Sequence, residues 1–339
     1  QFKHCYCPMP STLQINAPRI SLARLPTPLQ PLQRFCAKHD LPPIWIKRDD
    51  LTDAAASGNK LRKLEFSVAE AIEQGATALI TCGGIQSNHC RATAIVAASL
   101  GLKCHLLLRG EPEAPADGNL LLDQLVGANI THLPARGYNS RLPDEIAKIQ
   151  AEYAARNELA FAIPIGASDE IGLWGYIAAC EELKADFATH DLKPEYIVSA
   201  TGSGGTAGGL IIGNAAYDLG AEVLSVNVCD DEAYFVNKIS ADFKSWQNRY
   251  GQPEFAESLP IRIIDGYVGP GYGMADQEIY DTIAELASTE GIILDPVYTG
   301  KAFHGLVTEL KSGRLKPSRE VAFIHTGGIF GLFPHRTHF

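Results

Sequence analysis

Short apolar runs alternate along the chain with segments whose apolar positions recur every three to four residues. The runs are IWIKR (44–48), ALITC (78–82), CHLLLR (104–109), AFAIPIG (160–166), YIVSAT (196–201), VLSVNV (223–228) and VAFIHT (321–326). Their length and β-branched content predict strands. Between them, Leu61, Leu64, Phe66 and Val68 predict a helix from about Lys60, and Ile95, Val96 and Leu100 a second from about Ser87. Strands regularly separated by helices form βαβ units and a largely parallel sheet. Such sheets bind ligands at the carboxyl ends of their strands, so the residues just after each run carry the functional information. GEPEAPADG (110–118) reads as a surface loop, and no internal repeat, low-complexity tract or charge block interrupts the pattern.

The start of the first helix, SGNKLRKLEF (57–66), has Ser57 or Asn59 as its natural cap, yet it places Lys60 and Lys63 in the first turns. Cations are disfavoured at the positive end of a helix dipole, whereas a bound anion is welcome there. Residues three apart share a face, so the two lysines suit an anionic ligand, although two solvated lysines would read the same.

Three further stretches follow predicted strands. CGGIQSNHCRATA (82–94) supplies a tight glycine turn, and Ser87 and Asn88 cap the next helix; capping leaves the rest of the cluster Gln86, Ser87, Asn88 and His89 unexplained. SATGSGGTAGG (199–209) is the strongest local signal, because glycines let backbone N–H groups at a helix start approach a phosphate closely. Its Gly202-x-Gly204-x-x-Ala207 also fits the loose dinucleotide pattern, with Asp230 and Asp231 where a ribose-binding acid would lie. DPVYTGKAFHGL (295–306) and HTGGIFGLF (325–333) set Tyr298, Thr299 and Thr326 after strand-like runs.

The 339 residues suit one large or two medium domains, and a net charge of -10 argues against nucleic acid or an anionic membrane as partner. No apolar run approaches the roughly 18 residues of a membrane span. Eight scattered cysteines without C-x-x-C spacing favour reduced thiols, in cytosol or mitochondrial matrix equally, over disulfides or zinc. Cys5 and Cys7 near His4 form a weak metal candidate; no metal is expected elsewhere. The chain opens on Gln1, which reads as a trimmed or processed start.

Taken in order, RLPTPLQPL (24–32), WIKRDDLT (45–52), GNKLRKLE (58–65), GGIQSNH (83–89), TGSGGTAGG (201–209), GPGYG (269–273), DPVYTGK (295–301) and HTGG (325–328) span nearly the whole chain. This set resembles the pyridoxal-phosphate enzymes of the tryptophan synthase β-subunit fold, in the branch containing D-cysteine desulfhydrase and 1-aminocyclopropane-1-carboxylate deaminase. The resemblance implies a two-lobed α/β protein of fold type II with parallel-rich sheets and the cofactor in the interlobe cleft. It divides the chain into a large cofactor-binding domain, 1–66 with 173–339, and a small domain, 67–172. By the same resemblance Lys60 is the Schiff-base lysine that also takes the α-proton, and Lys63 meets the cofactor phosphate. Thr201, Gly202, Ser203, Gly204, Gly205 and Thr206 form the phosphate cup in place of a dinucleotide loop. Asn88 contacts the cofactor 3-oxygen, and Ser87, Asn88 and His89 meet the substrate carboxylate. Tyr272 and Tyr298 stand across the substrate, where either can protonate a leaving group. Thr299 and Thr326 occupy positions that in the deaminases are typically glutamate and leucine. A neutral hydroxyl beside the pyridine nitrogen gives a weaker electron sink than a carboxylate would. The implied reaction is therefore α,β-elimination from D-cysteine or a related β-substituted amino acid, giving pyruvate, ammonia and sulfide. Ring opening of 1-aminocyclopropane-1-carboxylate, elimination from D-serine or L-cysteate, a nicotinamide-dependent dehydrogenase and a non-catalytic cofactor carrier are the alternatives. A homodimer is implied as well.

Overall fold

The computed structural model describes residues 13–112, 115–252, 255 and 259–339; the Cys5/Cys7 metal candidate lies outside them. Two separate sheets organise the chain. The larger comprises β1 (Leu29–Pro31), β2 (Ile44–Lys47), β7 (Tyr196–Thr201), β8 (Glu222–Asn227), β9 (Arg262–Ile264) and β10 (Val321–Ile324), in the order β1-β2-β10-β7-β8-β9. All its pairings are parallel except β1 with β2, where Leu29 faces Lys47. The smaller sheet is wholly parallel, in the order β5-β4-β3-β6, from β3 (Ala78–Gly84), β4 (Lys103–Arg109), β5 (Asn129–Leu133) and β6 (Ala160–Ala162). The seven predicted runs all contain strands, whereas the short β1, β5 and β9 were not foreseen.

Parallel strands must be covered on both faces, which is why their runs are continuously apolar. In the larger sheet, α6 (Trp174–Thr189), α7 (Gly205–Ala216) and α8 (Glu232–Tyr250) bury one face through Trp174, Ile211 and Phe235. The opposite face packs against α1 (Gln33–His39), α9 (Gln277–Glu290) and α10 (Thr299–Lys311), around Phe303 and Phe323. In the smaller sheet, α2 (Asn59–Glu73), α3 (Asn88–Ser99) and α4 (Gly118–Leu125) cover one face, and α5 (Tyr138–Ala154) covers the other with Tyr138, Ile149 and Tyr153.

Two helix starts decide the site. Neither Ser57 nor Asn59 caps α2; the cap is Gly58, at φ 107, a left-handed value glycine adopts without a steric penalty. A side chain there would also collide with Thr326 O, 2.7 Å from where a Cβ would lie. The tail of β10 therefore runs directly against the start of α2. Ser87, by contrast, caps α3 as expected, accepting from Cys90 N at 3.2 Å, while Asn88 is the first helical residue. Among the described residues no helix is long and apolar enough to cross a membrane, no cluster of metal-binding side chains is present, and the six cysteines are unpaired thiols.

Candidate active site

The carboxyl ends of β3 and β4 face those of β7 and β10 across a cavity of about 360 Å³. Its wall includes Lys60, Ser87, Asn88, His89, Thr201, Gly202, Ser203, Gly204, Thr206, Tyr272, Tyr298 and Thr326, which brings twelve expected residues together. Lys63, Gly205 and Thr299 do not line it.

Two helix N-termini converge there, α7 from the larger sheet and α3 from the smaller. Exposed N–H groups and the helix dipole make each a ready anion site. The approach to α7 must be glycine. A Cβ on Gly202 would lie 2.9 Å from the Tyr298 ring, and one on Gly205 would lie 2.6 Å from Ser168 Oγ and 2.7 Å from Lys63 Nζ. Thr201 Oγ1 is buried on the cavity wall with no partner, a polar atom left for a ligand to satisfy. Lys63 stands behind this loop. Its Nζ donates to Gly166 O at 3.0 Å and Ser168 Oγ at 3.2 Å, and Ser168 in turn bonds Ser203 Oγ and the Gly205 N–H. Lys63 thus supports the loop from beneath, and burial pushes its ammonium well below the usual lysine range.

Lys60 enters from the start of α2, donating to Asn59 Oδ1 at 3.0 Å; Asn59 Nδ2 donates onward to Thr206 Oγ1 at 2.9 Å. Lys60 forms no ion pair with any described residue. Burial lowers its pKa to about 8, the Arg91 charge pushes the same way, and Asp295 opposes both. About a tenth of such an amine is uncharged at pH 7, against well under a hundredth of an ordinary lysine, which favours a nucleophilic role. Asp295 is occupied elsewhere. Its carboxylate accepts from the N–H groups of Val297, Tyr298 and Thr299 at 2.8–2.9 Å and from the Thr299 hydroxyl at 2.7 Å. Thr299 is therefore committed to the start of α10 and its hydroxyl does not reach the cavity, whereas Thr326 faces it.

Tyr298 and Tyr272 share a 2.6 Å hydrogen bond. Burial raises both phenols; Tyr272 raises Tyr298 further, while the bond from Tyr298 and the Arg109 charge partly offset the rise at Tyr272. Lys301, buried on α10, donates to Val268 O at 2.6 Å and Gly271 O at 2.9 Å, so one helix fixes both tyrosines. His89 differs from expectation. The Thr81 hydroxyl donates to Ile163 O at 2.8 Å, so it accepts from His89 Nε2, and burial keeps the ring neutral. The imidazole has no N–H left for a carboxylate; at that position only its backbone N–H remains to serve.

Several wall and support residues escaped the sequence reading: Asn59, Arg109, Tyr138, Ser168 and Arg91. Arg109 was within reach of it, because it ends the CHLLLR strand where ligands are contacted. Arg91 was not, since only the fold shows its Nη1 donating to Asn119 at 2.7 Å and its Nη2 to Ser57 O at 2.6 Å.

An unpaired lysine of depressed pKa, a glycine-lined helix start and a second helix start opposite define the site class of enzymes that hold a phosphorylated aldehyde cofactor on a lysine. The chain belongs to the pyridoxal-phosphate dependent enzyme family, whose pattern matches residues 20–327. A Thermotoga maritima protein provisionally named 1-aminocyclopropane-1-carboxylate deaminase is 42% identical over 317 residues, 93% of this chain and 97% of that one. The bifunctional D-cysteine desulfhydrase/1-aminocyclopropane-1-carboxylate deaminase, mitochondrial, of Arabidopsis thaliana is 39% identical over 328 residues, 92% of this chain and 79% of its own. A crystal structure of an ACC deaminase homologue superposes with TM-score 0.86 at 34% identity, covering 95% of each chain. These matches establish the two-sheet α/β architecture and the cofactor class, and they exclude the dehydrogenase reading.

Proposed function

We propose that this protein catalyses α,β-elimination from D-cysteine or a closely related β-substituted amino acid, releasing pyruvate, ammonia and sulfide. The observation that carries the reading is Lys60, unpaired and depressed to about pKa 8 between two helix N-termini. Bound pyridoxal phosphate supplies an aldehyde that condenses with amines and a ring that draws electrons from the α-carbon. The start of α7, with Thr201 and Thr206, holds its phosphate. The Ser87 hydroxyl and the N–H groups of Asn88 and His89 hold the substrate carboxylate, which orients the α-C–H bond toward Lys60. Lys60, released as a free amine, accepts the α-proton at Nζ. Thr326 offers the ring nitrogen a neutral hydroxyl, which suits departure of a good leaving group. The Tyr298 and Tyr272 pair supplies a proton to the departing sulfur, a contribution of about 10²–10⁴-fold.

Residues 67–172 act in this reading as the smaller of two domains, closing over substrate against 1–66 and 173–339. The chain works as a homodimer, to be checked by light scattering, in a thiol-reducing compartment, either cytosol or mitochondrial matrix. Release of the 2-oxo acid tests the reaction: pyruvate from D- and L-cysteine, β-chloro-D-alanine, D-serine and L-cysteate, and 2-oxobutyrate from 1-aminocyclopropane-1-carboxylate. D-cysteine or β-chloro-D-alanine is expected to lead; ring opening faster than every β-substituted alanine would reverse the assignment.

A further inference from the structure

Arg109 ends β4 and reaches the cavity with its guanidinium 5.3 Å from the Tyr272 ring centre and 5.9 Å from that of Tyr138. Both rings are fixed, Tyr138 by donating to Leu107 O at 2.7 Å and Tyr272 by its 2.6 Å bond to Tyr298. A planar cation held beside two immobile aromatic rings is already positioned, so little further ordering opposes its contact with a ligand. Yet no described carboxylate pairs with it. Among the described residues the cavity wall carries a single acid, Asp230, which is exposed and accepts from the Cys229 thiol at 3.1 Å.

The anion sites of the proposed reaction are accounted for without Arg109. One helix start takes the phosphate, the other takes the α-carboxylate, and the Lys60 nitrogen serves the cofactor aldehyde. Lys60 lies 5.9 Å from the Tyr298 ring, Tyr298 is bonded to Tyr272, and Tyr272 lies beside Arg109. Arg109 thus closes a row that begins at the reacting amine, on the side where the tyrosines meet the leaving group.

We infer that Arg109 is a specificity-determining residue that recognises a negatively charged β-substituent of the carboxylate or sulfonate class. The inference rests on the elimination reading for the side on which the β-carbon lies. A cysteine thiol, with an ordinary pKa of about 8.5, satisfies the same contact as its thiolate.

Binding to the holoenzyme, followed by the absorbance change of the bound cofactor, tests this with D and L forms of aspartate, cysteate, alanine and serine. The wild type is expected to favour the anionic ligands over alanine and serine by about 10- to 100-fold, the range of one charge-assisted contact. Arg109→Met should collapse that preference to within about 3-fold, and Arg109→Lys should restore part of it. If Arg109→Met fails to fold, Arg109→Gln provides the same comparison. A loss equal for all four amino acids would overturn the inference by assigning Arg109 to the α-carboxylate, as would a wild type without preference. Because binding is read apart from turnover, the two failures separate. Pyruvate from D-cysteine with no charge preference removes Arg109's role alone, whereas preference without any elimination removes the reaction and leaves the contact.

Discussion

Lys60 and Arg62 stand two residues apart on one helix and meet opposite electrostatic surroundings. At about 100° per residue they point to opposite sides of α2. Arg62 faces a floor of acids. It donates to Asp49 at 2.7 and 2.9 Å and to Glu182 at 3.0 Å from two nitrogens, while Lys47 pairs with Glu182 and Asp186, and Tyr176 donates to Asp49 at 2.6 Å. Although burial opposes charge on that side, Asp49 and Glu182 carry the guanidinium well above its ordinary value, and Arg62 and Lys47 hold Glu182 down to about 2. Lys60 faces the cavity and has no acid partner. The same helix therefore holds one buried cation for structure and leaves another unsatisfied for a ligand. Burial alone does not distinguish them; the presence or absence of a partner does.

The sharpest break in that comparison is Lys60→Ala. Turnover should fall below detection while the cofactor-free protein loses no thermal stability at neutral pH, and borohydride should no longer fix cofactor to the 57–66 peptide. Arg62→Met should do the reverse, lowering stability by about 3–5 kcal/mol in urea denaturation because Asp49 loses its buried partner.

The two sides should also respond to opposite ends of the pH scale. Lys60 has a folded pKa of about 8 against an ordinary 10.5, so between those values the unfolded chain binds more protons. Cofactor-free protein should then gain stability as pH rises through that window, by at most about 3 kcal/mol, and Lys60→Met should flatten the gain. Glu182 has the opposite sign: its folded value of about 2 lies below the ordinary 4.5, so its contribution is present above 4.5 and lost as pH falls toward 2. Thr326→Val should reduce elimination about 3- to 10-fold by removing one hydroxyl contact, checked by single-turnover rate. Lys103→Ala, which breaks an exposed pair with Glu158 and a 5.9 Å contact with the Tyr153 ring, should move stability by less than about 1 kcal/mol.

Much of this is legible in the amino-acid sequence. Buried parallel strands announce themselves as unbroken apolar runs, and phosphate-binding turns as glycine clusters, so seven strands and half of the cavity wall can be marked. Three side chains are turned away from the cavity or occupied by other partners, for a shared reason. Spacing of three residues places Lys60 and Lys63 on one side of α2 but does not say how far each reaches, and the 166–168 turn intercepts Lys63 short of the cavity. Thr299 opens its helix as an active-site hydroxyl would, yet Asp295, four residues earlier, claims it. His89 sits in the right motif with its donor already taken by Thr81. In each case the competing partner lies in a local turn or on another strand, and one-dimensional patterning carries no record of it. β1 and β9, at three residues each, are too short for any periodicity to register.

The two anion-binding helix starts belong to different sheets, and this gives the cofactor a mechanical part. A ligand whose phosphate is held at α7 while its amino-acid adduct is held at α3 ties the two sheets together across the cavity, like a rivet through two plates. Its binding free energy then opposes separation of the plates as well as dissociation. Stripped of cofactor, the protein should yield to protease first in the chain crossing between the sheets near 163–173, and reloading with cofactor together with an amino acid should close that site.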